Sequence, residues 1–314
     1  MIVVLTGGTG GAKFVAGLAA VLPARELTVI VNTGDDLTWW GLHVSPDLDS
    51  ITYALARMLS RERGWGVEGD TFQCLQAMRR MGAPAWFQLG DRDLATHLRR
   101  TELLSRDKTL SEATAEITRS LGVETRVLPM SDDRVETRVI TADGELSFQE
   151  YFVRERYQVA VRGVRFEGAE RARPAPAVLE AIAQAEAVVI APSNPITSIG
   201  PILAVPGIRQ ALKQTKAPVA AISPIIGGAA VSGPAGELMQ TQGLPVSIAG
   251  VARGYADFLD LLIADEWDSA FGTRVEGIAV RYASTVMKSE ADKTALARWV
   301  MEFLRELTVE AAVS

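Results

Sequence analysis

The chain has little of what builds metal clusters and disulfide scaffolds: one cysteine and two histidines in 314 residues. Cys74 alone forms no internal disulfide, which fits a reducing compartment. The ordinary expectation for such a thiol is a small buried hydrophobe. His43 and His97 are too few and too separated for a histidine-based zinc site. A basic excess is also missing. Lys and Arg number 32 against 38 Asp and Glu, a formal net charge of −6, whereas affinity for a nucleic-acid backbone needs a clustered cationic surplus. No apolar run approaches the ~20 residues of a membrane helix, and residues 1–5 carry no basic leader of a secretory signal. These absences predict a cytoplasmic protein that binds neither nucleic acid nor membrane.

What is present is a large apolar share, 48% of the chain, enough for two domains or for one α/β unit with an insertion. Residues 2–5 form a β-branched run that stops at glycine, as a buried parallel strand does. Phe14, Leu18, Val21 and Leu22 follow at helical spacing, Pro23 ends the helix, and residues 27–31 supply a second strand. From residue 47 to about 121 the pattern turns helical, over 51–59, 71–81, 91–100 and 111–121, with a short strand at 85–89. Ser111, with Thr114 and Glu116 nearby, marks an amino-terminal cap. Alternation over 135–140 and a turn at Asp143-Gly144 predict a hairpin, and 159–166 another strand. Buried strands return at 187–191, 218–222, 246–248 and 275–282, and Leu296, Val300, Phe303, Leu304 and Leu307 stripe a closing helix. The fold class is therefore α/β: a doubly wound, mainly parallel Rossmann-like sheet. Its core comprises residues 1–46 and 159–314, with 47–158 as an inserted helical and hairpin subdomain.

Two clusters carry chemistry. Gly7-Gly8-Thr9-Gly10-Gly11-Ala12-Lys13 lies between strand and helix, where free backbone N–H groups and the helix dipole hold an anion. It matches neither common fingerprint. The dinucleotide pattern would need glycine at Lys13 and an acid closing the second strand; the P-loop would need glycine at Ala12 and a hydroxyl at Phe14. Lys13 adds a point charge for phosphate. The second cluster is acidic: Asn32-Thr33-Gly34-Asp35-Asp36, then Pro46-Asp47-Leu48-Asp49. Asp35 and Asp36 fall at the carboxyl edge of the sheet, where ligands of such folds sit. Mg²⁺ takes one or two carboxylates plus phosphate oxygens, and four clustered charges repel each other unless a cation joins them. Some of the four also suit helix caps.

Three further segments join the list. Gly90-Asp91-Arg92-Asp93 leads to His97, and its plain reading is a capped helix with an Arg–Asp pair. The long loop holding Ser193-Asn194-Pro195, Thr197 and Gly200-Pro201 follows a buried strand and is rich in hydroxyl and amide groups; Ser223 to Gly228 repeats that placement. Trp39, Trp40 and Trp65 flank the acidic segment, suited either to stacking on a flat ring or to ordinary packing.

In this order and spacing, the glycine turn, the two acidic segments, Gly90 to Asp93 and Ser193 to Pro201 resemble the 2-phospho-L-lactate transferase family of coenzyme F420 biosynthesis over nearly the whole length. The resemblance implies transfer of a phospholactyl or phosphoenolpyruvyl group from a guanosine-diphosphate-linked donor to the deazaflavin Fo, with release of GMP. It implies Mg²⁺ on Asp35, Asp47 and Asp49, which are also the catalytic candidates. Gly8, Thr9, Gly10, Gly11, Lys13, Asp36, Asp91, Arg92, His97, Ser193, Asn194 and Thr197 would contact substrate. A homodimer is expected from the resemblance and from general frequency. The alternative is a non-enzymatic nucleotide-sugar-binding regulator of the related gluconeogenesis-factor type, which shares the glycine turn.

Overall fold

The computed structural model describes the backbone of residues 1–313 and the side chains of residues 1–307. The strand β1 (Ile2–Thr6) leads through the glycine turn into α1 (Gly8–Ala19), and β2 (Leu27–Val31) completes the first crossover. Then come α2 (Pro46–Leu55), α3 (Gln73–Arg80), α4 (Asp93–Ser105) and α5 (Leu110–Ser120). Among the described residues the main sheet has eight strands. Their order is Arg274–Val275, Ile278–Ala283, Leu261–Asp265, Val219–Ile222, Ala187–Ile190, β1, β2 and Arg126–Pro129. Every pairing is parallel except that of the short edge strand Arg274–Val275.

β1 shows why these runs are continuously apolar. Side chains alternate across a sheet, and here both faces are covered. Ile2 and Val4 meet α1, α2 and the closing helix Glu290–Val313 on one side, while Val3 and Leu5 join the larger core on the other. The β1–Ala187–Ile190 pairing joins the two halves of the predicted core directly. Ser314, the last residue assigned to that core, lies outside the described residues.

The structure redraws several expectations. Arg126–Pro129, inside the predicted insertion, is the edge strand beside β2, so residues 47–158 do not stand apart from the sheet as a block. The hairpin is present, Glu136–Thr141 with Glu145–Ser147, and Val161–Glu167 adds a third antiparallel strand. Residues 85–89 form no strand. Residues 246–248 do not either: Ser247 accepts from Gly250 N–H and caps the helix Ile248–Gly254. Two main-sheet strands were overlooked, Arg126–Pro129 and Leu261–Asp265, the latter a short apolar run whose periodicity cannot tell strand from buried helix. The cap of α5 is Thr109, in a reciprocal capping box with Glu112, two residues before the expected Ser111. Cys74 is exposed, not buried, because it lies on the outer first turn of α3. Among the described residues no helix is long and apolar enough to cross a membrane.

Helix α1 packs against the closing helix closely enough that one position must lack a side chain. A Cβ built at Gly17 would strike the backbone carbonyl oxygen of Lys293. A carbonyl of the facing helix cannot swing aside as a flexible side chain can. Although alanine is the better helix former, Gly17→Ala is expected to lower stability by about 1–3 kcal/mol. Urea unfolding against wild type measures this; an unchanged midpoint would show that the two helices separate at no cost.

Candidate active site

The carboxyl edge of the sheet opens into a cavity of about 920 Å³. Gly8, Thr9, Gly10 and Lys13 line it from α1, and Asp35 from the segment after β2. Asp47 and Asp49 reach it from α2, His97 from α4, and Ser193, Asn194 and Thr197 from the loop after Ala187–Ile190. Most of the residues expected at the site are thus brought to one space. Gly11 is buried behind the wall, where a Cβ would collide with the Thr6 and Ser193 hydroxyls; at Gly10 a Cβ would come within 2.5 Å of the Pro192 carbonyl oxygen. The glycines let α1 start against this loop, so that the first turn of the helix borders the cavity.

The four acidic residues do not share one environment. Asp47 Oδ1 accepts from Gly8 N–H at 2.8 Å and Oδ2 from Asn32 Nδ2 at 2.9 Å, tying α2, α1 and the end of β2 together. Burial pushes its pKa up to about 6, against the pull of these two hydrogen bonds. Asp35 is 5% exposed, and among the described residues its Oδ1 has no hydrogen-bond partner. Burial first, then the charge of Asp47, raise its pKa well above the carboxylate range.

Asp36 and Asp49 are already partnered. Asp36 meets His43 Nε2 at 3.0 Å and accepts from Ser45 Oγ at 2.7 Å, and it lines a smaller adjoining cavity of about 300 Å³. Burial still raises its pKa, opposed by the His43 contact. Asp49 receives a two-pronged contact from the buried Arg100 guanidinium, Nη2 to Oδ1 and Nη1 to Oδ2, the latter at 3.2 Å. Arg100 compensates the Asp49 charge inside the protein, whereas among the described residues no cationic side chain pairs with Asp35 or Asp47. Among the described residues no group of three or more His, Cys, Asp or Glu side chains is placed to hold a metal. Asp35 and Asp47 remain, two mutually repelling carboxylates facing the cavity, which fits an ion taking one or two protein ligands plus phosphate oxygens.

In the loop after Ala187–Ile190, Ser193 Oγ donates to the Gly7 carbonyl at 2.7 Å, and Asn194 Oδ1 caps the following turn through Ile196 and Thr197 N–H. Among the described residues the buried Thr197 hydroxyl has no hydrogen-bond partner, which leaves it to a ligand or water. Asp91 and Arg92 lie outside the cavity lining. Asp91 accepts from Gln73 and Cys74 N–H and caps α3, while Asp70 accepts from Arg92 and Asp93 N–H and caps α4. The bonds from Thr71 Oγ1 and from those two amides hold the Asp91 carboxyl below its ordinary pKa. The expected Arg–Asp pair is absent among the described residues; the Arg92 side chain donates to the Glu68 carbonyl.

Sequence reasoning passed over Arg100 and Tyr53, and over Phe148, Gln149 and Phe152, which bring the insertion to the cavity wall. Arg100 carried a readable signal: it falls three and seven residues after His97 and Asp93, on one helical face. Of the tryptophans, Trp65 lines the cavity, while Trp39 sits edge-on to Trp86 and Phe87 in a separate aromatic cluster.

Comparison with known proteins decides what this site belongs to. A family model described as 2-phospho-L-lactate transferase CofD matches residues 2–296. The chain belongs to the 2-phospho-L-lactate transferase family. This is a family of transferases in coenzyme F420 biosynthesis. The chain is 43% identical over 302 residues to a 2-phospho-L-lactate transferase of Methanosarcina mazei, covering 96% of this chain and 99% of that one. It is 44% identical over 314 residues to a phosphoenolpyruvate transferase of Streptomyces griseus, covering 98% and 99%. A solved structure of a UPF0052-family protein from Bacillus halodurans superposes with a TM-score of 0.64 over 96% of this chain and 98% of that one. At 18% identity that likeness shows the fold.

Burial of Asp47 has a consequence for stability. A carboxyl whose pKa rises from 3.8 to about 6 on folding binds its proton more tightly in the folded chain. The ligand-free protein is therefore favoured at low pH and loses stability as pH rises through about 6. Relative to Asp47→Asn, wild type is expected to lose about 2 kcal/mol between pH 4 and pH 7, most of it below pH 6. Parallel denaturation series read the difference; a gap independent of pH would show that Asp47 ionises freely.

Proposed function

We propose that the cavity binds a guanosine-diphosphate-linked three-carbon acid together with the deazaflavin Fo, and transfers the phosphoryl-linked acid to Fo. The observation that carries this reading is the meeting of unlike charges at one edge. The amino end of α1 and Lys13 offer positive potential beside Asp35 and Asp47, two buried carboxylates that repel each other. A diphosphate with a divalent cation satisfies both sides at once. Held by Asp35 and Asp47, Mg²⁺ would neutralise charge on the diphosphate.

In this reading the α1 N–H groups and Lys13 hold phosphate oxygens, and the Thr197 hydroxyl donates to the nucleotide. The terminal ribityl hydroxyl of Fo attacks the phosphorus that bears the acid. A new O–P bond forms, the bridging P–O bond of the diphosphate breaks, and its electron pair leaves on GMP. Asp49, held by Arg100, accepts the proton of the attacking hydroxyl as the new O–P bond forms. Such a transfer needs in-line positioning and charge neutralisation more than covalent help. The walls from Trp65, Phe148 and Phe152 suit a flat heteroaromatic ring.

The two relatives carry different acids in their names, so both guanylylated donors belong in the test. Purified protein given Fo, Mg²⁺ and either donor is expected to yield a new deazaflavin product on chromatography, abolished by EDTA. Asp47→Asn should lower the rate by about 100-fold or more. No product from either donor, with GDP still bound tightly, would overturn the transferase reading in favour of a nucleotide-binding regulator.

A further inference from the structure

Between α2 and α4 lies a buried ionic network that phosphate binding does not use. Arg100 is 2% exposed and His97 1%. The guanidinium grips both oxygens of Asp49, and its Nη1 also lies 3.5 Å from the His43 carbonyl oxygen and 3.4 Å from His97 Nδ1. On its other side the His97 ring lies 3.2 Å from Asp93 Oδ1, which also accepts from the Tyr53 hydroxyl at 2.7 Å. Asp49, Tyr53, Asp93 and His97 reach the cavity, whereas Arg100 stands behind them.

We infer that Arg100 is a positioning residue of the reaction, acting through Asp49. This rests on the transferase reading given above. A guanidinium bound to both oxygens fixes the plane of the carboxylate, which a lysine's point charge cannot do. Each Asp49 oxygen keeps a lone pair for a hydroxyl arriving from the cavity. The same contact separates the roles of the two acids on α2. Asp47 faces α1 and the diphosphate end, while Asp49 is turned to α4 and kept from adding a third uncompensated charge beside Asp35 and Asp47. Arg100 therefore orients the acceptor end of the site without touching the donor end.

The experiment is a double-mutant cycle with Arg100→Lys, Asp49→Asn and the pair, measuring kcat, KM for Fo, GDP binding by calorimetry and the thermal midpoint. Arg100→Lys is expected to unfold cooperatively and to bind GDP within twofold of wild type, while kcat falls tenfold or more. The double variant should be no slower than the slower single variant, because both changes remove one function. A kcat within twofold of wild type, multiplicative losses in the double variant, or a loss of GDP affinity matching the loss of kcat would each overturn the assignment. If Arg100→Lys fails to fold, Arg100→Gln carries the same cycle. Wild-type protein without turnover on either donor would overturn the transferase reading itself, and with it the role of Arg100; an active wild type with an unimpaired variant would overturn only the latter.

Discussion

Asp47 is the joint on which the site turns. One carboxylate accepts from the first N–H of α1 and from the Asn32 side chain at the end of β2, and it does so from the first turn of α2. Gly7 is part of the same constraint, because a Cβ there would collide with Asp47 Oδ2. The glycine turn and the acidic segment are thus one object. The turn approaches α2 closely because it lacks side chains, and the carboxylate occupies the space they would have filled. The cost is a buried charge, seen in the raised pKa of Asp47, and a cation with phosphate is the natural counterweight.

The rest of the fold distributes charge around that joint. His43 and Ser45 hold Asp36, and Arg100 holds Asp49, so the protein's own side chains partner one acid of each pair. Asp35 and Asp47 are left to face the cavity. The selection is geometric. Residue i and residue i+2 of a helix point in different directions, so Asp47 turns to the sheet edge and Asp49 to α4. The insertion closes the far side: Phe148, Gln149 and Phe152 reach the cavity from beside the three-stranded sheet, and Gln149 Nε2 lies 3.4 Å from the Asp35 carbonyl oxygen.

Local signals were legible where a local interaction decides the structure. Apolar runs at 2–5, 27–31 and 187–191 became parallel strands because both faces of the sheet are covered. The glycine turn was readable because a strand, a bare turn and an amphipathic helix follow one another directly. Leu261–Asp265 was missed because five apolar or acidic residues carry no period that separates strand from helix. Asp91 and Arg92 were expected at the site from the family resemblance, beside their plain reading as a capped helix with an Arg–Asp pair. In the fold they belong to a crossed pair of caps, Asp91 on α3 and Asp70 on α4, and pairing across about twenty residues leaves no mark in either segment alone.

The sequence by itself determined the alternation of the sheet, the bare amino end of α1 and the presence of four carboxylates within fifteen residues. Tertiary structure alone decided which of those carboxylates remain charged partners for a ligand. That choice depends on where cations from distant segments come to rest: Arg100 reaches Asp49 from 51 residues away, and among the described residues no cationic side chain pairs with Asp35. A charge repels or is compensated according to distance through the folded interior, and that distance is set by packing.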